Sequence, residues 1–597
     1  MSRKALIAFP LSAFALALAA CGGGSSNSTP PAAVVPPAAT VSAQDALATA
    51  TPIKHVVVIY GENQSFDHYF GTYPNALNPA GEPAFTAAAG TPAVNGLTPA
   101  LLNANPNSTN ASNLAIPLTA AQLEPFRIDR SQANTGSQNH SYTPEQLAED
   151  NGAMDAFPAN TGQPFSGGTG VFATKGIVMG YFDGNTDTAL WNYAQHFAMS
   201  DNAYTGTYGP STPGAIEVIS GQNNGIILTN NSTGAVTQGG SPSPSTNAIP
   251  DGQGGFTLIG DLDPTGDACT VFHDTTANTI TGQFSPANQN IGDLLNAKNI
   301  TWGGFMGGFN LSTVNANSTT GCGRSTYSPV LNLAEVDYTQ HHAWFQYYPT
   351  TANLTHARPT STALIGATDP LDSTATPVHH QYDTDDFFAA VTAGNFPSVA
   401  FLKAPAVQDA HPGNSDPLDE QAFVTKVVNF LEQQPDWKNT AVIVAYDDSD
   451  GWYDHQFAAP TSSSFDATSV TDTGHTGADQ LTAPGSCTSA GAVQPVGVGG
   501  AVVNGRCGPG TRTPFIVISP WANANFVSHT LITQASVTRF IEDNWLGGQR
   551  IGKGSFDATA GSINNMFNFA GSGNLPPLFL DNSLGTVLSA APTTVTN

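Results

Sequence analysis

Residues Thr440–His455 read TAVIVAYDDSDGWYDH, and this stretch decides the fold. Ala441–Tyr446 is a continuous apolar run, which is typical of a parallel strand buried on both faces. Asp447 and Asp448 follow the run directly, and open parallel sheets bind ligands at the carboxyl ends of their strands. The stretch therefore predicts a buried strand that ends in two cation ligands. Asp-Ser-Asp-Gly is also a strong turn sequence, in which both side chains would only cap the turn.

A second stretch has the same form. His55–Tyr60 (HVVVIY) is a continuous apolar run that leads into Gly61, Glu62 and Asn63. Oxygen ligands at the ends of two parallel strands would lie at the same edge of the sheet. The two stretches together predict one cation site with ligands from both.

Further apolar patterns extend the sheet and cover it. Two more runs resemble buried parallel strands, Ser398–Leu402 and Phe515–Ser519. Apolar residues at helical spacing indicate helices around Phe423–Leu431 and near Ser536–Trp545. Strands joined through helices by short connections predict right-handed crossovers and a layered α/β sandwich with loop insertions. No repeat or long linker interrupts residues 52–582, so these residues are predicted to form one large domain.

The composition excludes some classes of function. The chain has 597 residues, 44 acidic against 17 basic, and a formal net charge of −27. Such a field repels nucleic acid, so a polynucleotide-binding module is not expected. An anionic substrate would need a local positive site, supplied by a metal ion or by histidines. Nothing in the sequence indicates a protein partner.

The first residues have the form of an export signal. Arg3 and Lys4 precede a short apolar run at residues 5–20, which is too short to span a membrane comfortably. The run ends at Cys21 in a sequence that resembles a lipobox, so residues 1–21 are predicted to be a lipoprotein signal peptide. An ordinary signal peptide with a fortuitous cysteine is the alternative. Residues 22–51 are rich in Pro, Ala and Ser and indicate a linker. We expect an exported protein that faces the periplasm or cell surface and touches the membrane only through this anchor, with residues 583–597 as a C-terminal tail.

Four cysteines remain besides Cys21. An even number in an oxidising compartment predicts two disulfides, for which three pairings are possible. Proximity in sequence favours Cys269 with Cys322 and Cys487 with Cys507. None of the four has the spacing of a zinc–thiolate site.

Four blocks, in order, resemble the bacterial phosphoesterase family that contains acid phosphatases and phospholipases C. The blocks are Ile53–Gly71 (IKHVVVIYGENQSFDHYFG), Asn202–Gln222 (NAYTGTYGPSTPGAIEVISGQ), Thr440–His455 and Gly510–Trp521 (GTRTPFIVISPW). The resemblance spans most of residues 52–550. It implies an alkaline-phosphatase-like three-layer α/β sandwich with a mostly parallel central sheet, and the hydrolysis of phosphoesters.

Carried over residue by residue, the resemblance makes Glu62, Asn63, Asp447 and Asp448 metal ligands, with Ser211 as both nucleophile and ligand. A bound cation lowers the pKa of a coordinated hydroxyl and offsets charge that grows on a phosphoryl group. Carboxylate and amide oxygens suit one divalent ion of Mg, Ca or Mn, and Zn remains an alternative. Ser211 lies in a Gly-Pro-rich turn and is predicted to begin a helix, whose first N–H groups would face the phosphate.

Histidines would complete the site. His140, His341, His342 and His411 fall where the acid-phosphatase branch has histidines that bind phosphate or protonate the leaving group. A histidine taken singly is more often a solvated or hydrogen-bonded side chain. Imidazolium donors would let an acidic protein hold an anion, with activity falling above about pH 6.5.

The sequence around Ser211 divides the functional alternatives. Phospholipases of the family typically carry Thr at this position, followed by Pro-Asn-Arg, whereas this chain has Pro213-Gly214-Ala215. They also usually carry additional C-terminal β domains, whereas this chain ends soon after the helix predicted near Ser536–Trp545. These differences favour an acid phosphatase that acts on phosphomonoesters. Phospholipase C activity with the same site is the first alternative, and a surface lipoprotein that has lost catalysis is the second.

Overall fold

The computed structural model describes residues 44–237, 239, 243–270, 279–468 and 476–592. The chain divides into Met1–Val41 and Ser42–Asn597, and every described residue belongs to the second unit. The predicted signal peptide, Cys21 and most of the predicted linker lie outside the described residues. Within the described part, no helix is both long and apolar enough to cross a membrane. Asp45 forms an ion pair of 2.9 Å with His55, so the end of the predicted linker contacts the domain.

A central sheet of eight strands organises the described residues. From one edge to the other the order is Gln381–Asp383, Trp302–Met306, Val399–Lys403, His55–Gly61, Thr440–Tyr446, Phe515–Ile518, Ala198–Ser200 and Phe526–Ser528. In chain order the strands are β1 His55–Gly61, β2 Ala198–Ser200, β3 Trp302–Met306, β4 Gln381–Asp383, β5 Val399–Lys403, β6 Thr440–Tyr446, β7 Phe515–Ile518 and β8 Phe526–Ser528.

The two strands predicted from the opening stretches lie side by side at the centre. β1 pairs in parallel with β6 over its whole length, from His55 beside Thr440 to Gly61 beside Tyr446. All seven residues of each strand are buried. Because the strands are parallel and in register, Glu62 and Asp447 leave the sheet at the same edge. The predicted mostly parallel α/β fold is confirmed.

One strand differs from the prediction. Phe515–Ile518 runs antiparallel to both of its neighbours, β6 and β2, whereas the apolar run indicated a parallel strand. A continuous apolar run shows burial on both faces but does not specify direction. The chain leaves β6 at the site edge and re-enters the sheet from that edge at β7, so no crossover is needed and the strand is antiparallel.

Helices cover both faces of the sheet, as two tyrosines at the strand ends show. Tyr60 is paired with Ala445, so it and the next residue along β6, Tyr446, point to opposite faces. The Tyr60 hydroxyl donates to the carbonyl of Gly214, which lies in a helix on one face. The Tyr446 hydroxyl donates to Glu420, which lies in a helix on the other face. The fold is therefore a sandwich of three layers.

The principal helices are α1 Phe66–Phe70, α2 Tyr142–Glu149, α3 Thr188–His196, α4 Ser211–Ser220, α5 Thr384–Thr392, α6 Pro417–Glu432 and α7 Ala535–Trp545. Shorter helices are Pro99–Asn103, Ala111–Leu114, Phe157–Asn160 and Ile291–Asn296. Small strands outside the main sheet are Phe126–Arg127, Gly180–Tyr181, Ala203–Tyr204, Ile226–Asn230, Val236–Thr237, Ala248–Pro250, Phe256–Leu258, Ile280–Phe284, Ser325–Ser328, Leu333–Val336 and Ile532–Thr533.

Both helices predicted from spacing are present. α6 contains the predicted Phe423–Leu431 and begins where the Asp416 side chain accepts from the N–H groups of Leu418 and Asp419. Pro417 at its first position needs no hydrogen-bond acceptor for a backbone N–H. α7 contains the predicted Ser536–Trp545. The two helices therefore start earlier than the apolar pattern alone shows.

Two disulfides join loops of the insertions. Cys269 pairs with Cys322, with Cα atoms 5.3 Å apart, and Cys487 pairs with Cys507, with Cα atoms 6.0 Å apart. The pairing that sequence proximity favoured is confirmed.

Candidate active site

Oxygen ligands converge on Ser211 at the carboxyl edge of the sheet. Ser211 Oγ lies 2.8 Å from Glu62 Oε2, 3.2 Å from Asn63 Oδ1 and 3.2 Å from Asp448 Oδ2. Glu62 and Asn63 follow β1, Asp448 follows β6, and Ser211 is the first residue of α4. Each of these side chains is at most 1% exposed. The structure therefore brings together residues from three of the four sequence blocks.

The first turn of α4 packs directly on the end of β6. A Cβ at Gly214 would lie 2.0 Å from the backbone oxygen of Asp447, so no other residue fits without displacing the helix. Gly209, two residues before Ser211, has a φ of 115°, a backbone conformation that favours glycine. Close packing at Gly214 and the turn at Gly209 together hold the Ser211 hydroxyl against the strand ends.

The N–H groups at the start of α4 do not all face the site. The N–H and hydroxyl of Thr212 both bond to Asp261 Oδ1, at 2.9 and 3.0 Å. The prediction that the first N–H groups of this helix face a phosphate is therefore wrong for Thr212. The prediction fails there because an insertion supplies the Asp261 carboxylate, which already accepts from the Thr212 N–H group.

Asn63 is held in a left-handed backbone conformation, with a φ of 61°. Its N–H donates to Asp447 Oδ1 at 3.0 Å and its side-chain amide donates to Asp450 Oδ1 at 3.0 Å. With the amide nitrogen fixed in this way, the amide oxygen points to Ser211. Asp450 also accepts from the N–H of Gln138 at 2.9 Å, which joins the loop after β6 to the segment that carries His140.

The chemistry of these donors fits a divalent cation. Asp447 Oδ2 is buried and has no hydrogen-bond partner among the described residues. Burial raises the pKa of Asp447 and of Asp448, because ionised carboxylates are costly inside the protein without a counter-charge. Carboxylate, amide and hydroxyl oxygens are hard ligands that suit Mg, Ca or Mn. The arrangement provides candidate ligands for one ion without selecting its identity.

His140 lies beside the oxygen ligands. Its Nε2 is 3.4 Å from Asn63 Nδ2, and its Nδ1 lies 3.0 Å from Asp450 Oδ1 and 2.8 Å from the Gln138 carbonyl. Burial lowers the pKa of His140, but the charges of Asp448 and Asp450 outweigh burial and raise that pKa well above its usual value. These charges therefore favour the protonated form of His140.

The other three predicted histidines lie close to His140. The ring centroids of His140 and His411 are 6.2 Å apart, those of His342 and His411 are 6.5 Å apart, and those of His341 and His342 are 4.3 Å apart. Burial lowers the pKa of His342 and of His411, so these two rings favour the neutral form. The His341 side chain is 30% exposed and lies at the mouth of the group.

His342 also lies against the carboxylates. Its Nδ1 is 3.1 Å from Glu62 Oε1 and 3.8 Å from Asp409 Oδ2. Neither approach is a hydrogen bond, and within the described residues neither ring nitrogen of His342 has a hydrogen-bond partner.

Sequence analysis missed two residues of the site, Lys403 and Asp409. Lys403 is the last residue of β5 and its Nζ contacts Glu62 Oε1. The Asp409 carbonyl accepts from the N–H of Glu62 at 2.8 Å. The predicted strand Ser398–Leu402 stopped one residue before Lys403, so the rule applied to the other strand ends would have identified this lysine.

A pocket of about 340 Å³ lies next to Ser211, with Pro210 in its lining. His140, Pro210 and Asp261 form part of its wall. Pro210 precedes Ser211 in sequence, and Asp261 bonds to the next residue, Thr212. The remaining lining residues are mostly polar: Gln138, Asn139, Ser141, Tyr142, Thr143, Thr246, Asn247, Ile259 and Gly260. The Tyr142 hydroxyl is bonded to Asp479 at 2.7 Å, so it is not available to a ligand.

The chain matches the model of the Phosphoesterase family over residues 53–546, and it belongs to this family. It is 31% identical over 193 residues to the non-hemolytic phospholipase C of Pseudomonas aeruginosa, a match that covers 31% of this chain and 25% of that protein. It is 29% identical over 185 residues to phospholipase C A of Mycobacterium tuberculosis, covering 31% of this chain and 32% of that protein. The resemblance read from the four sequence blocks is confirmed.

Among solved structures, the chain was matched to the murine ectonucleotide pyrophosphatase/phosphodiesterase 5. It is 11% identical, with a TM-score of 0.28, and the match covers 64% of this chain and 94% of that chain.

Proposed function

We propose that this chain is an exported acid phosphatase that hydrolyses hydrophilic phosphomonoesters through a phosphoserine at Ser211. The observation that carries the proposal is the position of Ser211 Oγ, within 3.2 Å of Glu62, Asn63 and Asp448 and beside a polar pocket. A serine hydroxyl is a weak nucleophile at its free pKa and needs such an environment to react.

The reaction proceeds in two steps. Ser211 Oγ forms a bond to phosphorus while the bond from phosphorus to the leaving oxygen breaks, and the alcohol departs with a proton. Water then attacks the phosphoserine, which releases phosphate and restores the hydroxyl. Glu62, Asn63, Asp447, Asp448 and Ser211 would hold one divalent ion, which supplies positive charge to the nucleophile and the phosphoryl oxygens.

The histidines provide the remaining donors. His140 favours the protonated form and lies at the border between the site and the pocket, so it is placed to donate to a phosphoryl oxygen or to the leaving oxygen. His411, His342 and the more exposed His341 continue from His140 as a row of neighbouring rings. As neutral rings, His342 and His411 donate one hydrogen bond each.

The pocket favours monoesters of hydrophilic alcohols. Asp261 and several amide and hydroxyl side chains line it, and Tyr142, an aromatic residue of the lining, is only 2% exposed and so offers little ring face to a quaternary ammonium group. The second candidate is phospholipase C activity, which the names of the curated relatives favour. Those matches cover only about a third of this chain, so they support the chemistry more than the substrate.

The proposal includes export. Residues 1–21 are proposed to direct secretion, and Cys21 is proposed to carry the lipid that tethers the domain through residues 22–51. Labelling with a radioactive fatty acid tests this, because the label should be lost in Cys21→Ser while the protein is still made. Label that persists in Cys21→Ser would contradict the anchor.

The activity is tested with two chromogenic esters. Turnover of p-nitrophenyl phosphate and p-nitrophenyl phosphorylcholine should be compared for the wild type, Ser211→Ala and the exposed control Ser373→Ala. Preference for the monoester with an optimum on the acid side, lost only in Ser211→Ala, supports the proposal. Preference for the choline diester supports the phospholipase C. If the folded protein, supplied with metal, turns over neither ester, the result supports the surface lipoprotein that has lost catalysis.

A further inference from the structure

Lys403 holds one oxygen of Glu62 while Ser211 uses the other. Lys403 is 1% exposed, and its ammonium contacts Glu62 Oε1. Ser211 Oγ donates to Glu62 Oε2 at 2.8 Å. The two carboxylate oxygens of Glu62 therefore contact different neighbours, Oε2 a serine and Oε1 a lysine.

The lysine side of Glu62 has the donor set of a second cation site. One ligand atom from each of Glu62, His342 and Asp409 lies within 4.8 Å of the other two, and all three residues are buried. The atom nearest His342 Nδ1 is Glu62 Oε1, at 3.1 Å. In hydrolases with two metal ions the ions lie about 3.5–4 Å apart, so that one carboxylate can bridge them. Glu62 has the position of such a bridge.

We infer that the Lys403 ammonium takes the place of a second metal ion in this group, so that the site binds a single divalent cation. This rests on the proposed function only in assuming a metal ion at Ser211. The ammonium contacts the same atom, Glu62 Oε1, that a bridged second ion would use. It supplies a positive charge through three N–H donors, so it neutralises the carboxylate by hydrogen bonding and not by coordination as a metal ion does.

Lys403 is thus a positioning residue for Glu62. Its contact keeps Oε1 occupied and leaves Oε2 as the oxygen that faces Ser211. It also places a fixed positive charge among Glu62, Asp409 and Asp447, which are each at most 2% exposed. Removal of that charge leaves these buried carboxylates with less compensating charge, and a second ion can supply it only where the space of the lysine side chain is also vacated.

A second cluster in the same chain shows this arrangement with arginine. Asp67, Asp454 and His455 also have the mutual distances of a metal-binding group. The Arg512 guanidinium lies 3.0 Å from Asp67 and 3.1 Å from Asp454, so the cationic side chain supplies the positive charge there.

The test counts metal ions in the full exported chain. Wild type, Lys403→Ala, Lys403→Met and the exposed control Lys438→Ala are stripped with chelator and dialysed against manganese. Manganese per chain is then measured, together with its electron paramagnetic resonance spectrum. We expect one ion in the wild type, in Lys438→Ala and in Lys403→Met, whose side chain fills the space without the charge. We expect two ions with a spin-coupled spectrum in Lys403→Ala, which vacates the space.

Turnover gives the second readout. With Glu62 no longer held, we expect kcat to fall about 10- to 100-fold in Lys403→Met, the range found when a partner of a metal ligand is removed. Two ions in the wild type would overturn the inference, because the ammonium would then not exclude the second ion. One ion in a folded Lys403→Ala would overturn it as well. If Lys403→Ala does not fold, the wild-type count and the kcat of Lys403→Met decide: an unchanged kcat rejects the role.

The metal count does not depend on the substrate. A chain that binds one ion as wild type and two as Lys403→Ala, yet hydrolyses no phosphoester, would support this inference while the proposed function failed. The opposite pattern of active protein and unchanged counts would reject the inference alone.

Discussion

Gly214 lies so close to Asp447 that a Cβ on the glycine would be 2.0 Å from the aspartate's backbone oxygen. The contact joins the helix that begins with Ser211 to the strand end that supplies Asp447 and Asp448. The contact explains why the middle residue of Pro213-Gly214-Ala215 is glycine. The same three residues favoured the acid-phosphatase branch of the family.

Gly214→Ala is therefore expected to impair the site. The added methyl group must push α4 away from β6, which costs about 1–3 kcal/mol of unfolding free energy and moves the Ser211 hydroxyl. We expect kcat/KM to fall more than the change in Tm alone would explain. Gly499→Ala is the matched control, because a Cβ there meets nothing within 4 Å. Equal activity in the two variants would show that the contact does not position Ser211.

Chelation is expected to abolish turnover and to lower the Tm. Glu62, Asp447 and Asp448 are at most 1% exposed, and without the ion Lys403 and His140 offset their charges only in part. An ion present at about 100 times its Kd stabilises the folded state by about 2.7 kcal/mol. Calorimetry with EDTA, and then with excess manganese, measures this difference. Asp447→Asn should bind manganese more weakly, with the exposed Asp150→Asn as control, and a Tm that ignores EDTA would argue against a metal site.

The part of the site that the sequence predicted depends on strand ends. Glu62, Asn63, Asp447 and Asp448 were predictable because parallel neighbouring strands finish at one edge of a sheet. The Lys403–Glu62 contact joins residues 341 positions apart, and no local pattern encodes such a pair. The direction of Phe515–Ile518 was predicted wrongly, because an apolar run records burial and not orientation. The partner of Thr212, Asp261, comes from an insertion whose path has no sequence signature.

Stability is expected to decrease as the pH rises from about 5 to about 8. Burial, opposed by Arg506, raises the pKa of Glu217 from 4.5 to about 7, and the carboxyl is 0% exposed. The folded state therefore holds this proton more tightly than the unfolded state, and the stabilisation present below pH 4.5 is lost as the pH passes through about 7. Other buried carboxyls have raised pKa values for the same reason: Glu145 at about 7, Asp479 at about 7 and Glu432 at about 8.

Glu217→Gln isolates one of these groups. It removes a single titration, so the Tm of the variant should fall less steeply between about pH 5 and about pH 8. Over this range the variant should lose about 1–3 kcal/mol less unfolding free energy than the wild type. Asp150→Asn, at an exposed position, should follow the wild type. A wild-type Tm that rises over this range would contradict the prediction.

The most direct test of the account traps the covalent intermediate. The protein is mixed with p-nitrophenyl phosphate at acidic pH, quenched in acid within its turnover time and digested for mass spectrometry. The account predicts one added phosphoryl group on Ser211, in the peptide that contains Asn202–Gln222, and none in Ser211→Ala. An active wild type that shows no phosphoryl group on Ser211, or full turnover by Ser211→Ala, would contradict it.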